Sequence, residues 1–375
     1  MSLGHGCVDV YQGAVAALVP FFVTERAWSY AAASGVVLAA SLLSSVVQPL
    51  FGALTDRWAM PWLLPLSALT AGAGAGLSGI LGSYPLTLAA VAVTGLGVAA
   101  YHPEAARAAR AVAPGGNRGM GWFALGGNVG FALAPLLVAA VVATGGLDAS
   151  PLLVVPGVVG AALCAAAGRA SRARPVAGAA AARTGSDDWP SFLRLSGAVV
   201  CRSVVFVGLS AFVSLYVRER VGGGDVAGTA ALCVLYAGGA VGTVLGGRLA
   251  DRYGRLRVVR RAYALTVLAV AGTALVGPAV YLFVALTSAG LYVPFSLHVT
   301  LGQDYLPGRM GTASGVTLGL TVSVGGLAAP ALGALADGTS LRTALVPLIV
   351  LPALGGLLLR GLREPAAAER LAPAR

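Results

Sequence analysis

Runs of about 20 apolar residues, separated by short polar loops, recur along all 375 residues of the chain, and each is long enough to cross a hydrocarbon core about 30 Å thick. In lipid a segment must satisfy its own backbone hydrogen bonds, so each run is expected to be a helix. A transmembrane barrel would show alternation over about ten residues, which is absent. The composition agrees: 57% of residues are hydrophobic and 10% charged, where a soluble domain carries roughly 25%. The mean hydropathy is +0.84. Spans are predicted near 3–23, 33–54, 61–81, 86–111, 120–143, 151–168, 193–216, 226–250, 258–277, 280–304, 310–336 and 341–360. The expected fold is all-α: twelve transmembrane helices in two pseudo-symmetric six-helix bundles.

The net charge of +11 comes from 25 basic residues, all arginine. They do not form one patch with interleaved aromatics, so nucleic acid is not an expected partner. They collect in alternate loops instead. With the N-terminus inside, the cytoplasmic face takes Arg57, Arg107, Arg110, Arg118, residues 169–194, residues 248–261, Arg309 and the tail; the other face keeps Arg26, Arg218, Arg220 and Arg342. That is the positive-inside pattern, with both termini cytoplasmic and the chain a multi-pass protein of the cell membrane. Cys7, Cys164, Cys201 and Cys233 sit singly in apolar runs, so neither a disulfide framework nor a zinc site is expected. The first run carries His5 and Asp9 and lacks a basic leader, so it reads as a span and not as a cleaved signal. It begins almost at Met1, which suggests a short cytoplasmic leader missing from its start.

The small, polar, basic stretch from Arg169 onward breaks the pattern and reads as a flexible linker. The expected organisation is a bundle over 1–168, a cytoplasmic linker over 169–192, a second bundle over 193–362 and a tail over 363–375. An internal repeat supports the division. A shift of 195 positions brings Gly52 onto Gly247, Asp56 onto Asp251, Arg57 onto Arg252, Gly130 onto Gly325 and Pro135 onto Pro330. Parallel halves of this kind form a substrate site near the bilayer midplane.

The segment Gly246 to Arg261, GGRLADRYGRLRVVRR, resembles the signature loop of the major facilitator superfamily in Gly247, Asp251, Arg252, Gly254 and Arg255. The first-half copy, GALTDRWAMPWLLP, keeps Gly52, Asp56 and Arg57 and lacks the later glycine and basic residues. With the HPE-x-x-R element ending at Arg107 and the stretch Gly302 to Gly315, the combination resembles the fosmidomycin-resistance branch, over essentially the whole chain. The resemblance implies a proton-driven exporter of small drugs by alternating access. It also implies a cytoplasmic gate of Gly52, Asp56, Arg57, Gly247, Asp251, Arg252 and Arg255, in which Asp56 faces the start of the eleventh span and Asp251 the start of the fifth. The plainer reading of each Asp-Arg pair is a polar helix end. Superfamily antiporters often carry G-x-x-x-G-P in the fifth span; here Gly126 and Gly130 are present and Pro135 comes late, so antiport rests on the branch resemblance.

Charges inside spans cost about 2.5–3.5 kcal/mol each on insertion scales, so they usually face a cavity or a partner. His5, Asp9 and Gln12 share one face of the first helix. Glu104 and Arg107 are i, i+3 neighbours in the fourth and can pair. Asp9, Glu104, His102 and Arg107 are therefore the candidates for proton coupling, with the two carboxylates in one chamber; a fixed structural network is the competing reading. Gln12, Asn128, Arg202 and His298 are the candidate substrate contacts, since an arginine fork with a histidine suits an anion; interhelix packing competes. No phosphate-binding loop, nucleophile elbow or metal-ligand spacing is present. The expected partners are a small-molecule substrate, protons and the lipid bilayer, for a monomer without cofactor or metal and without enzymatic activity. The nearest alternative is a proton symporter or facilitator that imports a metabolite.

Overall fold

The computed structural model describes residues 1–58, 60–112, 117–171, 186–277 and 279–365. Among these all regular structure is helical: α1 (Ser2–Arg26), α2 (Tyr30–Arg57), α3 (Leu63–Ser78), α4 (Tyr84–Val112), α5 (Asn117–Gly145), α6 (Val154–Ser171), α7 (Trp189–Val221), α8 (Gly224–Tyr253), α9 (Arg255–Leu275), α10 (Val280–Tyr292), α11 (Phe295–Tyr305), α12 (Met310–Gly338), α13 (Leu341–Leu345) and α14 (Pro347–Arg360). A 3-10 segment, Gly146–Leu153, leads into α6. The tenth predicted span is broken into α10 and α11 at Pro294, and the last into α13 and α14 ahead of Pro347. Proline lacks the N–H that would continue the ladder. With these pieces joined, the arrangement is consistent with twelve passes. Most of the linker and of the tail lie outside the described residues, as do the side chains of Gly52, Asp56, Arg57 and Arg107.

Two groups of helices pack internally: α1 with α5 and α6, and α3 with α4 and α6; then α7 with α8, α12 and α14, and α9 with α10 and α14. They meet along α2–α12, α5–α8 and α1–α7. The outer faces are apolar, with Val226 81% and Leu268 70% exposed, as lipid contact requires. Small residues set the closest approaches. Gly130 of α5 rests on the backbone of Gly6 in α1, and Gly333 of α12 rests on Tyr30 and Ser34 of α2.

The two ends of the molecule are built differently. At one end Asp337 of α12 caps α2, accepting from the amides of Tyr30 (2.8 Å) and Ala31 (2.9 Å). The Tyr30 hydroxyl donates to Glu219 of α7 at 2.8 Å. A carboxylate suits the positive end of a helix dipole, so α2, α7 and α12 are drawn together here. At the other end Arg255 pairs with Asp304 (2.6 Å) and Glu364 (3.0 Å), and Glu364 also accepts from the Leu256 amide at 3.0 Å. Arg260 donates to the carbonyls of Leu359, Arg360 and Leu362. Gly254 forms the α8–α9 corner with φ +85°, in the region open to glycine, which is why that position of the signature loop needs no side chain.

Candidate functional site

A cavity lies where the two groups of helices meet. Tyr11, Gln12, Val15 and Ala16 of α1, Val37, Ala40 and Ser41 of α2, and Thr94, Gly95 and Val98 of α4 line one side. Phe131 of α5, Phe206, Val207 and Ser210 of α7 and Tyr236 of α8 complete it. The 195-position shift relates facing wall residues: Tyr11 to Phe206, Gln12 to Val207, Val15 to Ser210 and Ser41 to Tyr236. The wall is mainly apolar. Phe131 meets Tyr236 edge-on at 4.4 Å between ring centroids, and Phe206 meets Tyr292 at 5.6 Å. The Tyr11 hydroxyl is turned away, donating to Leu153 O at 2.8 Å and accepting from the Gly157 amide at 2.6 Å. The buried hydroxyls of Ser210 and Tyr236 adjoin at the wall without a well-formed hydrogen bond.

Beside the cavity, on the first-half side, Asp9 is wedged between two imidazoles. His5 Nε2 lies 3.2 Å from one carboxylate oxygen and His102 Nε2 lies 3.0 Å from the other. The Gln12 amide donates to Asp9 at 3.2 Å, which joins the cluster to the cavity wall. Each histidine is fixed from behind: His5 Nδ1 is 2.8 Å from Phe123 O, and His102 Nδ1 is 2.8 Å from Val98 O. A carbonyl only accepts, so both Nδ1 atoms carry hydrogen. The Nε2 atoms facing Asp9 are then bare in the neutral rings, and a bare nitrogen against a carboxylate oxygen is acceptor against acceptor. The cluster is satisfied only by placing a proton in one or both contacts, or a cation between them. His5 stacks on Phe123 with centroids 4.0 Å apart. Gly127 of α5 closes the site: a Cβ there would fall 2.6 Å from His5 Cε1 and run into Asp9. The three ligand atoms lie within 4.8 Å of one another, close enough for a metal ion to bridge, an arrangement that linear spacing did not announce.

The remaining candidates fall as follows. Glu104 is buried, 1% exposed, and is not among the residues that line the cavity, while His102 of the same helix contacts Asp9. Its predicted partner Arg107 lies outside the described side chains. Asn128 stands at the α5–α8 crossing beside Gly239 and not on the cavity wall. Arg202 and His298 are buried, 3% and 2% exposed, and also lie off the wall. Arg202 Nη1 donates to Leu291 O at 2.8 Å, with its guanidinium 5.3 Å from the Phe295 ring centroid.

Among the gate residues, Asp251 and Arg252 are exposed, Arg252 against Tyr253. The start of α5, where Asp251 was expected to dock, lies outside the described side chains. Close helix approach falls on Gly246, which faces Val293 O where α10 ends, and not on Gly247, beside which no described atom lies within 4 Å of a Cβ. Arg255 holds the ends of α11 and α14, so in this structure it ties the second group together and does not cross to the first. His5 is the participant that sequence reasoning left out of the coupling set, although its i, i+4 spacing to Asp9 was visible.

Residues 1–330 match the family model described as Major Facilitator Superfamily. The chain is 29% identical to "Fosmidomycin resistance protein" of Escherichia coli (strain K12), covering 95% of this chain and 90% of that protein. It is also 29% identical to "Uncharacterized MFS-type transporter YfnC" of Bacillus subtilis (strain 168), over 94% and 89%. Among solved structures, a bacterial homolog to the human lysosomal transporter Spinster, in an inward-facing and occupied conformation, superposes with a TM-score of 0.81 at 15% identity, over 100% and 97% of the two chains. The nucleoside transporter NupG superposes with a TM-score of 0.73 at 12% identity, over 96% and 97%.

Proposed function

This chain belongs to the major facilitator superfamily, and from that membership we propose that it is a proton-coupled antiporter, exporting a small drug-like or anionic molecule by alternating access. That it is a membrane transporter and not an enzyme follows from the family. The coupling and the direction are our reading. The observation that carries it is the Asp9 carboxylate held between two imidazoles whose other nitrogens are committed to carbonyls. Such a cluster is built to hold one proton or two. Gln12 belongs both to it and to the cavity wall, so cargo in the cavity and protons on Asp9 can sense each other. His102 relays the proton, Asp9 is its principal site, and Glu104 with Arg107 is the neighbouring charged pair. The likeness to the fosmidomycin resistance protein supports outward transport of a drug-like cargo.

In the same reading, 1–168 and 193–362 are the two moving bundles, joined by the linker 169–192 and followed by the tail 363–375. The arginine-rich end and both termini face the cytoplasm, and the protein works as a monomer. Asp56 and Asp251, with their flanking glycines and arginines, hold the cytoplasmic gate.

The test is transport in everted membrane vesicles carrying an inward proton gradient. A panel of small amphiphilic and anionic compounds, fosmidomycin among them, is added, and collapse of the gradient is followed. The expected result is a compound-dependent proton leak, lost in Asp9→Asn and His102→Gln. Flux of a metabolite that ignores the gradient, equal in wild type and Asp9→Asn, would overturn antiport and return the cluster to a structural role.

A further inference from the structure

Among the described residues, Arg202 is a buried cation with no ion-pair partner. Its guanidinium is 3% exposed. One N–H reaches Leu291 O, and Nε is buried with no hydrogen-bond partner among the described residues. The helices around it have few carboxylates to offer, and all of those lie at their ends. On α7 the acid is Glu219, bonded to Tyr30; on α8 they are Asp225, paired with Arg218, and Asp251, exposed at the helix end; on α11 it is Asp304, paired with Arg255; on α12 it is Asp337, capping α2. The sequences of α9, α10 and α14 contain none. Ionisable side chains inside membrane proteins are normally paired or face a pathway, and this one is 3% exposed and makes no ion pair among the described residues. His298 of α11, three positions after the Phe295 ring that the guanidinium faces, is 2% exposed, and its Nε2 is likewise buried without a partner among the described residues. Two unsatisfied nitrogens, one of them permanently cationic, thus share one dry site.

Arg202 also has an approach from the cavity. It precedes Phe206, a wall residue, by four positions on α7, so it lies on the same helical face and about 6 Å further along the helix. Phe206 in turn packs on Tyr292, next to Leu291, whose carbonyl receives Arg202. On the first-half side the His5–Asp9–His102 cluster is likewise about one turn from the wall, with Asp9 three positions before Gln12. The two halves therefore set a proton-binding anion and an unpaired cation on either side of one cavity.

We infer that Arg202 and His298 form a site for an oxyanion group – carboxylate, phosphate or phosphonate – drawn from the central cavity. The Nε–H edge of a guanidinium, here without a hydrogen-bond partner among the described residues, matches the planar or forked arrangement of such oxygens, and the imidazole Nε2 supplies a second contact when it carries hydrogen. This rests on the transporter reading and narrows its cargo to molecules with an acidic head, or to cargo that moves with a free oxyanion.

The test uses the full-length protein in lipid nanodiscs and radiolabelled inorganic phosphate as the probe, read by equilibrium dialysis. Wild type is expected to bind phosphate saturably. Arg202→Gln should weaken it by about tenfold or more, the loss of one charge-assisted contact; Arg202→Lys and His298→Gln should fall between. The coupling reading is tested apart from this one, by loss of the compound-dependent proton leak in Asp9→Asn vesicles, so the two readings fail separately. Displacement of phosphate by the acidic compounds that collapse the vesicle gradient would assign the site to the cargo's own head group. Binding indifferent to them would assign it to a free oxyanion, and either result keeps the site. Folding is checked by size-exclusion chromatography. If Arg202→Gln does not fold, unchanged phosphate affinity in both Arg202→Lys and His298→Gln overturns the inference, as does absence of saturable binding by the wild type.

Discussion

At the scale of single residues, the cluster around Asp9 depends on packing as much as on charge. Gly127 illustrates this, since its missing side chain is what lets α5 press on His5 and Asp9. Gly127→Ala should disturb coupling while leaving every ionisable group in place. The overpacking should also lower thermal stability, by about 1–3 kcal/mol. Vesicle proton-leak assays beside a melting curve in detergent would check both; full coupling in a normally stable variant would show that the spacing is slack. Sequence made part of this site legible. A charged residue in an apolar run flags itself, so Asp9, His102, Arg202 and His298 could be picked out without coordinates. The pairing was not legible. That His102 reaches Asp9 depends on the rotation of α4, and the apolar pattern around a membrane helix carries little information about rotation. Arg202 shows the same limit: its place in a span was visible, but its lack of an ion-pair partner among the described residues emerged only from the packing of the helices around it.

At the scale of elements, the contacts between the two groups of helices are concentrated in a few polar points on otherwise apolar surfaces. The cap that Asp337 places on α2 is one of them, linking helices more than 300 positions apart. Removing it in Asp337→Ala should cost the closed end about 1 kcal/mol, the usual worth of a helix cap. A shift of that size changes the ratio of closed to open forms about fivefold. A single cysteine at Ala31, in a cysteine-free background, should then react faster with an impermeant maleimide. An unchanged rate would mean that apolar packing of α2 on α12 holds this end by itself. The α8–α9 corner gives a second prediction. Gly254→Ala forces a side chain into φ +85° and should lower the melting temperature, with a cost of about 1 kcal/mol or more. The helices themselves followed from the apolar runs, with ends displaced by a few residues: α7 runs to Val221 where 216 was expected, because Arg218 and Arg220 carry the helix past the apolar stretch. The breaks at Pro294 and before Pro347 were not foreseen. Proline inside a membrane helix is often accommodated, and composition does not distinguish a tolerated proline from one that splits the helix.

At the scale of the whole molecule, charge distribution and closure combine into one statement about state. The end sealed by Asp337, Tyr30 and Glu219 also carries the sparse arginines, Arg26, Arg218, Arg220 and Arg342. The opposite end gathers Arg255, Arg260 and Arg309 with the last residues of α11 and α14. If positive charge marks the cytoplasmic side, the end held by Asp337 faces out, and alternating access then predicts a cavity reached from within the cell. An exporter at rest in that state would load cargo directly from the cytoplasm, and protons arriving from outside would reach Asp9 only after the seal opens. The consequence is measurable at Ala40, on the cavity wall and away from the charged cluster. A single cysteine there, in a cysteine-free protein, should react with a small charged thiol reagent in everted vesicles and be protected in intact cells. Adding Asp337→Ala should raise labelling from the outside and slow it from the inside, because loosening one end of an alternating-access carrier draws population from the form open at the other. Equal labelling from both sides in the parent protein would contradict the orientation or the sealed state, and reporter fusions at the two termini would tell which. If labelling from outside does not rise in the double variant, the seal lies elsewhere along the α2–α12 contact, with Gly333 against Tyr30 and Ser34 the next place to open it.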